Sequence, residues 1–544
     1  MSNKVVKRRK GAAPAPARRA AVERALAAGD VAQAAVLAEQ ALAAGDDDPL
    51  FLNLAAWRRE EAGDYRGAHA LLRRALALAP GDVLISGSLG AVLRKEGRLT
   101  EALMVLDRVV AAEPRHVAAW LERGYTLEAL RLEEPAAESY RRALALDERL
   151  APALGKLADI AARRGHGDEA RALAGRALAL DALEPAASAA LATVALEARD
   201  GAAAERHLRP LLDRVSGDDR TRTLTLLGDA LDRQDRPAEA FDHYRAAQAN
   251  FRDTYRDALA PDAHRPSHRA FIERVAAQMH TPAQRASSEH IAGAASTHVF
   301  LLGYPRSGTT LVENVLASAG GVTALEERDT FAGSDGVLLR NDGGMPDLDT
   351  LDPALVTRLR ADYWARVAAM GAATGGTFVD MNPLNGTRLP IIARLFPDAR
   401  ILVMRRDPRD VVLSCFRINF TPSPAAWCFS DLEEAARHYD ALMRLTERAR
   451  ALLPLAFHEV RYDRLVSDFA PTVRDMADFI GLPWTDAFLR FDKTAQARGV
   501  RTASATQVRR GLFDGRGQWR RYAGQLAPAL PILRPWVERF GFAE

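Results

Sequence analysis

Residues 299–310 read Val-Phe-Leu-Leu-Gly-Tyr-Pro-Arg-Ser-Gly-Thr-Thr, and this stretch decides the fold of the C-terminal half of the chain. An apolar run enters a turn that contains two glycines and a proline, and the residues after the turn have helical spacing. A strand, a glycine-rich turn and a helix in this order direct backbone N–H groups at an anion such as a phosphate. The spacing Gly303-x4-Gly308 matches a P-loop, but Thr309 stands where an ATP-binding loop has lysine. The sequence therefore predicts an anion site in which Arg306 supplies the positive charge.

Downstream of this stretch, short apolar runs alternate with helical patterns. Strands are predicted at Val299–Leu302, Thr377–Val379, Ile401–Met404 and Phe457–Val460, and helices near 311–319, 353–370, 387–395, 409–417, 431–451 and 470–480. This alternation indicates a parallel sheet with helices on both faces. Ligands of such sheets bind beyond the carboxyl ends of the strands, where the candidate residues described below fall.

A second informative stretch, 401–414, ends a buried strand in an arginine cluster and begins a helix at Pro408. If Pro408 is the first helical residue, Ser414 lies about two turns further on, on a face that reaches the same anion as Arg406. A guanidinium and a hydroxyl together form a suitable receptor for a phosphate monoester. Taken alone, the arginines and aspartates of this stretch also fit ordinary surface ion pairs.

The first half of the chain repeats with a period of 34 residues. The alanines that keep this step are Ala34, Ala68, Ala102, Ala136, Ala170 and Ala204, and glycine precedes four of them by five residues. A period of this length, with small residues where helices cross and glycine at the turns, resembles the tetratricopeptide repeat. Small side chains let paired helices pack closely, and each pair buries its apolar face by stacking on its neighbours. The resemblance implies an α-helical solenoid whose surface binds a protein or peptide partner.

Shifts in pattern along the chain predict its domain boundaries. A basic, Ala/Pro-rich tail at 1–20 is expected to be disordered, with a tether for nucleic acid or a membrane surface as the alternative. The repeats follow at 21–251, and a junction with a helix across His268–Gln278 occupies 252–296. A second domain, of the α/β class with a parallel sheet, takes 297–544. Because no apolar run follows the basic tail, we do not expect a signal peptide.

Composition and charge narrow the possible functions. A chain of 544 residues is too long for one core, so several domains are expected. The formal net charge of +3 favours no particular partner, and no nucleic-acid ligand is expected. The two cysteines form neither a disulfide framework nor a zinc site, which predicts a reducing cytoplasm. No metal is expected, because no cluster of histidine, cysteine and carboxylate residues at ligand spacing is evident. No apolar run reaches the length that a membrane span needs.

Together, the two informative stretches resemble the sulfotransferase family, whose members use 3′-phosphoadenosine-5′-phosphosulfate (PAPS). Pro305–Thr310 is similar to the family's loop for the 5′-phosphosulfate, and Arg406 with Ser414 is similar to its pair for the 3′-phosphate. The stretches 460–466 and 519–522 are similar to further family segments. The pattern is closest to protein-tyrosine sulfotransferases and to bacterial proteins that join tetratricopeptide repeats to this domain. The resemblance implies a P-loop-like domain with PAPS as co-substrate.

The resemblance also implies roles for individual residues. Transfer of a sulfuryl group, like that of a phosphoryl group, needs donors where negative charge develops and a base for the acceptor hydroxyl. Glu327 is similar in position to the general base of the tyrosine enzymes, with Glu326 next in line, and Ser504 is similar to a serine near the transferring group. Arg306 is expected to contribute to catalysis as well. The residues implied to bind PAPS are Arg306, Ser307, Gly308, Thr309, Thr310, Arg406, Ser414 and Tyr462.

Two positions depart from the family pattern. Met381 stands where the family usually has a lysine aimed at the sulfuryl group, and Gln518 stands where relatives often have a basic residue. Loss of one transition-state donor typically costs about 10²–10³ in rate. Such a loss would slow an enzyme without abolishing it if Arg388 or Arg405 covers the gap, and it equally fits a catalytic centre that has decayed while the nucleotide site persists.

Three functions follow from these observations. The first is a PAPS-dependent sulfotransferase that acts on a hydroxyl acceptor, either protein tyrosine or a carbohydrate. The second is a scaffold whose repeats bind a partner and whose C-terminal domain binds a nucleotide without turnover, as Met381 and Gln518 favour. The third is an ATP-dependent kinase on the same loop. Thr309 argues against the kinase, for which Asp380 is the strand-end acid placed most like a metal ligand.

Overall fold

The computed structural model describes residues 15–283, 291–339, 345–498 and 511–542. The chain forms two compact units, Met1–Val194 and Ala195–Glu544. The first unit contains repeat helices, and the second contains the last repeat helices, the junction and the sheet. The division between the units therefore falls inside the repeat region, upstream of the point where the sequence period ends.

Successive helices of the repeat region begin at a constant step. The first helices of six pairs begin 34 residues apart, at Ala15, Pro49, Val83, Val117, Ala151 and Pro185. The helices are α1 (Ala15–Ala27), α2 (Val31–Ala43), α3 (Pro49–Glu61), α4 (Tyr65–Leu78), α5 (Val83–Lys95), α6 (Leu99–Ala112), α7 (Val117–Ala129), α8 (Glu133–Leu146), α9 (Ala151–Arg163), α10 (Gly167–Leu180), α11 (Pro185–Glu197), α12 (Gly201–Leu208), α13 (Gly217–Arg233) and α14 (Pro237–Leu259). The predicted solenoid is confirmed. Helix α1 begins inside the segment predicted to be a tail.

Local sequence explains why these helices begin and end where they do. The side chains of Asp64 and Asp82 cap α4 and α5 by accepting backbone N–H hydrogen bonds from the first turn. The six alanines of the repeat are all fully buried, because a larger side chain would separate the crossing helices. The turn inside each of the seven pairs contains a residue in the left-handed region, which is glycine in four pairs and Arg131, Arg199 or Asp235 in the other three.

The C-terminal part of the chain contains a five-stranded parallel sheet in the order β2-β3-β1-β4-β5. The strands are β1 (Thr297–Leu302), β2 (Val322–Glu326), β3 (Thr377–Met381), β4 (Arg400–Arg405) and β5 (Ala456–Arg461). The helices are α15 (His268–Gln278), α16 (Thr309–Ala317), α17 (Ala332–Leu338), α18 (Pro353–Ala369), α19 (Leu389–Leu395), α20 (Pro408–Phe416), α21 (Pro424–Phe429), α22 (Leu432–Leu452), α23 (Tyr462–Ser467), α24 (Phe469–Ile480), α25 (Phe491–Arg498), α26 (Ala523–Leu526) and α27 (Leu530–Arg539). Nowhere in the described ranges is a helix long and apolar enough to cross a bilayer.

Four of the strands confirm the sequence predictions with ends extended by one or two residues, whereas β2 was not predicted. The run that forms β2 contains one buried residue, Ala324, because β2 is an edge strand with partly exposed side chains. A short strand of this kind lacks the continuous apolar signal of a central parallel strand. The omission matters because Glu327 follows β2 directly.

The strand order creates a crevice at the carboxyl end of the sheet. Strand β1 lies between β3 and β4, and the chain leaves β1 towards β2 but leaves β4 towards β5. Loops that depart in opposite directions from neighbouring strands open a space between them, where ligands of open α/β sheets bind. The loops after β1 and β4 are the two stretches that the sequence singled out.

Candidate active site

The loop after β1 runs into the N-terminus of α16 and forms the floor of the site. Ser307, Thr309 and Thr310 are 1%, 3% and 5% exposed, so their polar groups lie beneath the surface of the crevice. Gly308 has a φ of 107°, and a Cβ there would lie 2.8 Å from Cδ2 of Tyr462. Glycine is therefore required at this position by both backbone conformation and space. The geometry leaves the loop and the start of α16 facing the crevice, as an anion site needs.

Arg306 joins the loop to the helix that follows β4. Its Nε donates a hydrogen bond to Oγ of Ser414 at 3.1 Å, and its carbonyl accepts one from Nη1 of Arg406 at 2.9 Å. Residues 100 and 108 positions apart in the sequence thus meet at one point. Burial, and then the proximity of Arg406, lower the pKa of Arg306. Two neighbouring guanidinium groups in a partly buried crevice favour an anionic ligand between them.

Two buried polar atoms at this point have no hydrogen-bond partner among the described residues. They are Oγ of Ser307 and Nε of Arg406. Buried polar groups nearly always have a partner, and an orphaned one requires an explanation such as an absent ligand. Both atoms belong to the stretches that the resemblance assigns to the two ends of PAPS, so the donor set fits a nucleotide with an anionic group at each end.

Tyr462, the first residue of α23, connects the site to residues 511–522, the C-terminal segment. The guanidinium of Arg406 lies 4.6 Å from the centre of the Tyr462 ring, and the Tyr462 hydroxyl donates to the carbonyl of Phe513 at 2.7 Å. Nη2 of Arg406 donates to the carbonyl of Gly515. The carboxylate of Asp410 in α20 accepts backbone N–H hydrogen bonds from this segment at 2.7 and 2.9 Å. The C-terminal segment therefore forms one wall beside Arg406.

Glu327 lies at the end of β2 with a φ of 47°, and its N–H donates to the carbonyl of Met381 at 2.7 Å. Glu327 is exposed, yet neighbouring protein atoms displace part of the water around its carboxyl. This loss of solvation, followed by repulsion from Glu326, raises the pKa of Glu327 to about 7. Arg306 partly opposes this shift by attraction. A carboxyl that titrates near neutral pH and is reachable from solvent is suited to general base catalysis.

Met381 is buried, and the two arginines proposed as replacements for the missing lysine form ion pairs with other residues. Met381 is fully buried in an apolar cluster on one face of the sheet. Arg405 is 2% exposed and forms ion pairs with Glu447 and Glu459. Arg388 forms an ion pair with Asp335. Each of these three side chains is thus held by other contacts in the described structure.

Asp380, the acid considered as a metal ligand for a kinase, lies within a buried hydrogen-bond network. It is 0% exposed, and its carboxylate accepts hydrogen bonds from Thr330 and Tyr363, both at 2.7 Å. Thr330 follows Glu327 by three residues, so Asp380 holds the loop that positions Glu327. Sequence reasoning placed Asp380 at the strand end correctly but missed this role, because its partners Thr330 and Tyr363 are distant in the sequence. Alternation along β3 turns Asp380 and Met381 to opposite faces of the sheet.

Glu313 in α16 is a buried acid that sequence reasoning overlooked. It is 1% exposed and pairs with Arg498 at 2.9 Å, and burial raises its pKa to about 7. The Arg498 guanidinium also donates to the carbonyl of Ala324 at 2.8 Å. The signal available in the sequence was an acidic residue inside a helix rich in apolar residues directly after the loop. Ser504, the remaining predicted catalytic residue, lies outside the described residues.

Within the described ranges, one group of potential metal ligands occurs away from this site. His280, Asp347 and Asp349 have ligand atoms within 4.8 Å of one another and border a cavity of about 230 Å³. Leu453 and Pro454, which precede β5, line the same cavity, so it opens at the amino ends of the strands. The group is therefore at the opposite edge of the sheet from the crevice.

Comparison with known proteins identifies both parts of the chain. Residues 298–486 match the model of the sulfotransferase family, and residues 60–123 and 189–257 match models of the tetratricopeptide repeat. The chain joins tetratricopeptide repeats to a sulfotransferase-family domain. The match to the sulfotransferase family includes all five strands except the first residue of β1, together with Arg306, Glu327, Arg406 and Ser414.

Individual relatives resemble parts of this tetratricopeptide–sulfotransferase chain. An uncharacterized protein of Aquifex aeolicus (strain VF5) is 30% identical over 246 residues, which cover 43% of this chain, and the chain spans 32% of that relative. A tetratricopeptide repeat protein from Parabacteroides merdae is 16% identical with a TM-score of 0.34, covering 43% of this chain and 93% of its own. A tetratricopeptide repeat protein of Thermus thermophilus is 24% identical with a TM-score of 0.29, covering 36% and 98% respectively.

Proposed function

We propose that the C-terminal domain transfers a sulfuryl group from PAPS to a hydroxyl acceptor, with protein tyrosine as the first acceptor to test. The observation that carries this proposal is the convergence of Arg306, Ser414 and Arg406 at distances of 3.1 and 2.9 Å. It brings a loop suited to a phosphosulfate and a pair suited to a 3′-phosphate into one crevice. A nucleotide with anionic groups at both ends is the ligand that such a crevice fits.

Each residue has a distinct part in the proposed reaction. Arg306, Ser307 and the loop amides hold the 5′ end, and Arg406 with Ser414 holds the 3′-phosphate. Glu327 accepts the proton of the acceptor hydroxyl while a bond forms between sulfur and the acceptor oxygen. The bond between sulfur and the 5′-phosphate oxygen breaks in the same transfer, and adenosine 3′,5′-bisphosphate leaves with the electron pair. The left-handed backbone at Arg306 and Glu327 supports a constrained arrangement of these two groups.

The acceptor and the partner of the repeats belong to the same proposal. Helical repeats of this type typically offer an extended surface to a peptide or protein, which agrees with a protein tyrosine as acceptor. A carbohydrate hydroxyl is the alternative acceptor. Incubation with labelled PAPS and either a tyrosine-containing peptide or an oligosaccharide would separate the two, because the label should remain on one class of product.

A nucleotide-binding scaffold is the second candidate function. The observation that favours it is the burial of Met381, together with the ion pairs that hold Arg405 and Arg388. None of these side chains is available in the described structure as the missing transition-state donor. A scaffold would bind the nucleotide with ordinary affinity but transfer no label from PAPS to any acceptor.

Calorimetric titration with adenosine 3′,5′-bisphosphate, with ATP as the control ligand, tests the site. We expect micromolar binding of the bisphosphate, weak binding of ATP, and loss of at least tenfold in affinity in Arg406→Ala, because that guanidinium is one of the two proposed phosphate donors. Arg437→Ala, which removes an exposed arginine of α22, serves as the matched control. Tight ATP binding would favour the kinase function instead. Unchanged binding of the bisphosphate in Arg406→Ala would overturn the proposed position of the site.

A further inference from the structure

The last helix pair of the repeat region, α13 and α14, belongs to the same compact unit as the sheet. Its helices contact the chain on both sides of the nucleotide site proposed above. Nε2 of Gln248 donates to the carbonyl of Phe416 at 2.7 Å, and Phe241 stacks on the Phe416 ring at 5.4 Å. Phe416 is the last residue of α20, the helix that contains Ser414.

Asp232 in α13 binds two separate segments of the sulfotransferase-family domain. One carboxylate oxygen accepts from Nη2 of Arg417 at 3.0 Å, directly after the end of α20. The other accepts from the hydroxyl of Tyr522 and lies 2.9 Å from Nη1 of Arg521. These partners are 185 to 290 positions away in the sequence. A single carboxylate therefore holds α20 and the C-terminal segment together.

The two segments adjoin the residues proposed to hold the 3′-phosphate, because α20 contains Ser414 and the C-terminal segment contacts Arg406. Ser414 lies one turn before Arg417, on the helix that Asp232 anchors at its end. The C-terminal segment contains Gly515, whose carbonyl accepts a hydrogen bond from Arg406. Movement of either segment would change the distance between Ser414 and the donors beside it, and 3′-phosphate recognition depends on that distance.

The contacts of Asp232 are sheltered enough to be strong. The side chains of Asp232 and Arg417 are 16% and 15% exposed, unlike the fully solvated ion pairs that contribute little. Two further residues of the last helix pair contact Nη2 of Arg417. The Tyr244 hydroxyl lies 2.9 Å from it, and Oδ1 of Asp229 lies 3.5 Å from it. Removing one partner from such a network leaves a guanidinium poorly compensated, which favours rearrangement of the segment that bears it.

We propose that Asp232 is a positioning residue for the nucleotide site, so that the last helix pair of the repeats controls the affinity of the sulfotransferase-family domain for its nucleotide. The inference rests on the proposed function, because it names the regulation of that site. Reciprocity follows from linkage: nucleotide binding must stabilise the contacts of α13 and α14 as much as those contacts favour nucleotide binding.

The test is calorimetric titration of adenosine 3′,5′-bisphosphate into the full chain and into Asp232→Asn. We expect the affinity to fall about fivefold to twentyfold with unchanged stoichiometry, in the range of typical coupling between sites. Asp242→Asn, an exposed aspartate of α14 whose partner is Arg245, is the matched control and should bind like the parent. Tyr522→Phe removes one hydroxyl donor and keeps the ring, so it provides a milder variant if Asp232→Asn fails to fold.

Hydrogen exchange supplies a readout that a purely structural role would not change. The bisphosphate should slow amide exchange in α13 and α14 of the parent and should do so less in Asp232→Asn and in Tyr522→Phe. Affinity equal to the parent in both variants, or no ligand-dependent protection of the two helices, would overturn the inference while leaving the proposed function intact. A parent protein that does not bind the bisphosphate would overturn both.

Discussion

Arg306 and Glu327 share a backbone conformation that is uncommon for residues with side chains. Their φ angles are 71° and 47°, in the left-handed region that costs an ordinary residue about 1–2 kcal/mol. Strain of this kind persists where surrounding structure imposes it, and it concentrates at functional sites. Arg306 lies in the loop after β1, and Glu327 directly follows β2. Both are at the carboxyl edge of the sheet, so the strain supports the roles proposed for them.

Glu327→Gln tests the general base. The raised pKa of about 7 means that Glu327 is protonated below neutral pH and becomes the active base above it. We therefore expect kcat/KM of the parent to rise with pH through about 7 and then to level off. The variant should bind adenosine 3′,5′-bisphosphate like the parent while losing at least about 10² in kcat, since general base catalysis contributes about 10²–10⁴.

Glu326→Gln provides the control for that experiment, because it removes a carboxylate at the neighbouring position. Its loss should leave the rate near the parental value and move the ascending limb to lower pH, since Glu326 repels the Glu327 carboxylate. Full turnover in Glu327→Gln, or abolished turnover in Glu326→Gln, would show that a group other than Glu327 is the general base.

At the scale of single elements, the repeat turns show where sequence and backbone disagree. Most turns inside a helix pair contain glycine in the left-handed region, but Arg199 occupies the turn between α11 and α12 with a φ of 64°. Arginine has no means of relieving the contact between its Cβ and the backbone there, whereas glycine has no Cβ. The strain at this turn lowers the stability of the folded state, and the packing of the rest of the helix pair offsets it.

Arg199→Gly should therefore stabilise the protein. We expect an increase of about 0.5–1 kcal/mol in the free energy of unfolding, because relief of strain exceeds the added entropy of the unfolded chain. Denaturant unfolding followed by circular dichroism measures this change. Arg206→Gly, at an exposed position in the last turn of α12, is the control and should destabilise by up to about 1 kcal/mol. A loss of stability in Arg199→Gly would show that the turn is not strained.

The elements themselves were largely predictable from the sequence. The 34-residue period determined where the helices of the first six pairs begin, because each pair must present the same small residues to its neighbours. Central strands gave continuous apolar runs, whereas β2 was missed because an edge strand buries little. The meeting of Arg306 with Ser414 followed from the rule that parallel strands end at one edge, but the hydrogen bond itself required the structure.

At the scale of the whole molecule, the first compact unit contains a buried acid that makes stability depend on pH. Glu184 is 5% exposed, and burial raises its pKa from 4.5 to about 7, although the Ala187 N–H donates to it at 2.6 Å. Between these pKa values the folded unit retains a proton that the unfolded chain has released. Raising the pH through this range therefore lowers stability, and the loss is complete above about 7.

Glu184→Gln should remove this dependence. The amide oxygen keeps the acceptor for the Ala187 N–H and has no charge to bury, so the variant should be more stable than the parent by about 1–3 kcal/mol near pH 8. At about pH 3.5 the two proteins should converge, because Glu184 is then neutral in the folded state and largely neutral in the unfolded state. Thermal unfolding at both pH values measures the difference, with the exposed Glu148→Gln as control. An unchanged gap across pH would contradict the assignment to Glu184.

Contacts that span the whole sequence were beyond prediction. Asp232, Arg417 and Tyr522 lie in three separate segments, and no local spacing joins positions up to 290 apart. Hydrophobic periodicity predicts which face of a helix is buried, but it does not predict which partner covers that face. The same limit explains why Glu313 was missed until Arg498 was seen beside it.

The position of the boundary between the two compact units, near residue 195, bears on how such genes can be rearranged. Recombination that exchanged a repeat array at residue 252, where the sequence period ends, would replace Asp229, Asp232 and Tyr244 and leave Arg417 facing unrelated side chains. An exchange upstream of Ala195 would transmit these partners intact. Gains and losses of repeats among descendants of this gene should accordingly be tolerated on the N-terminal side of that boundary and selected against beyond it.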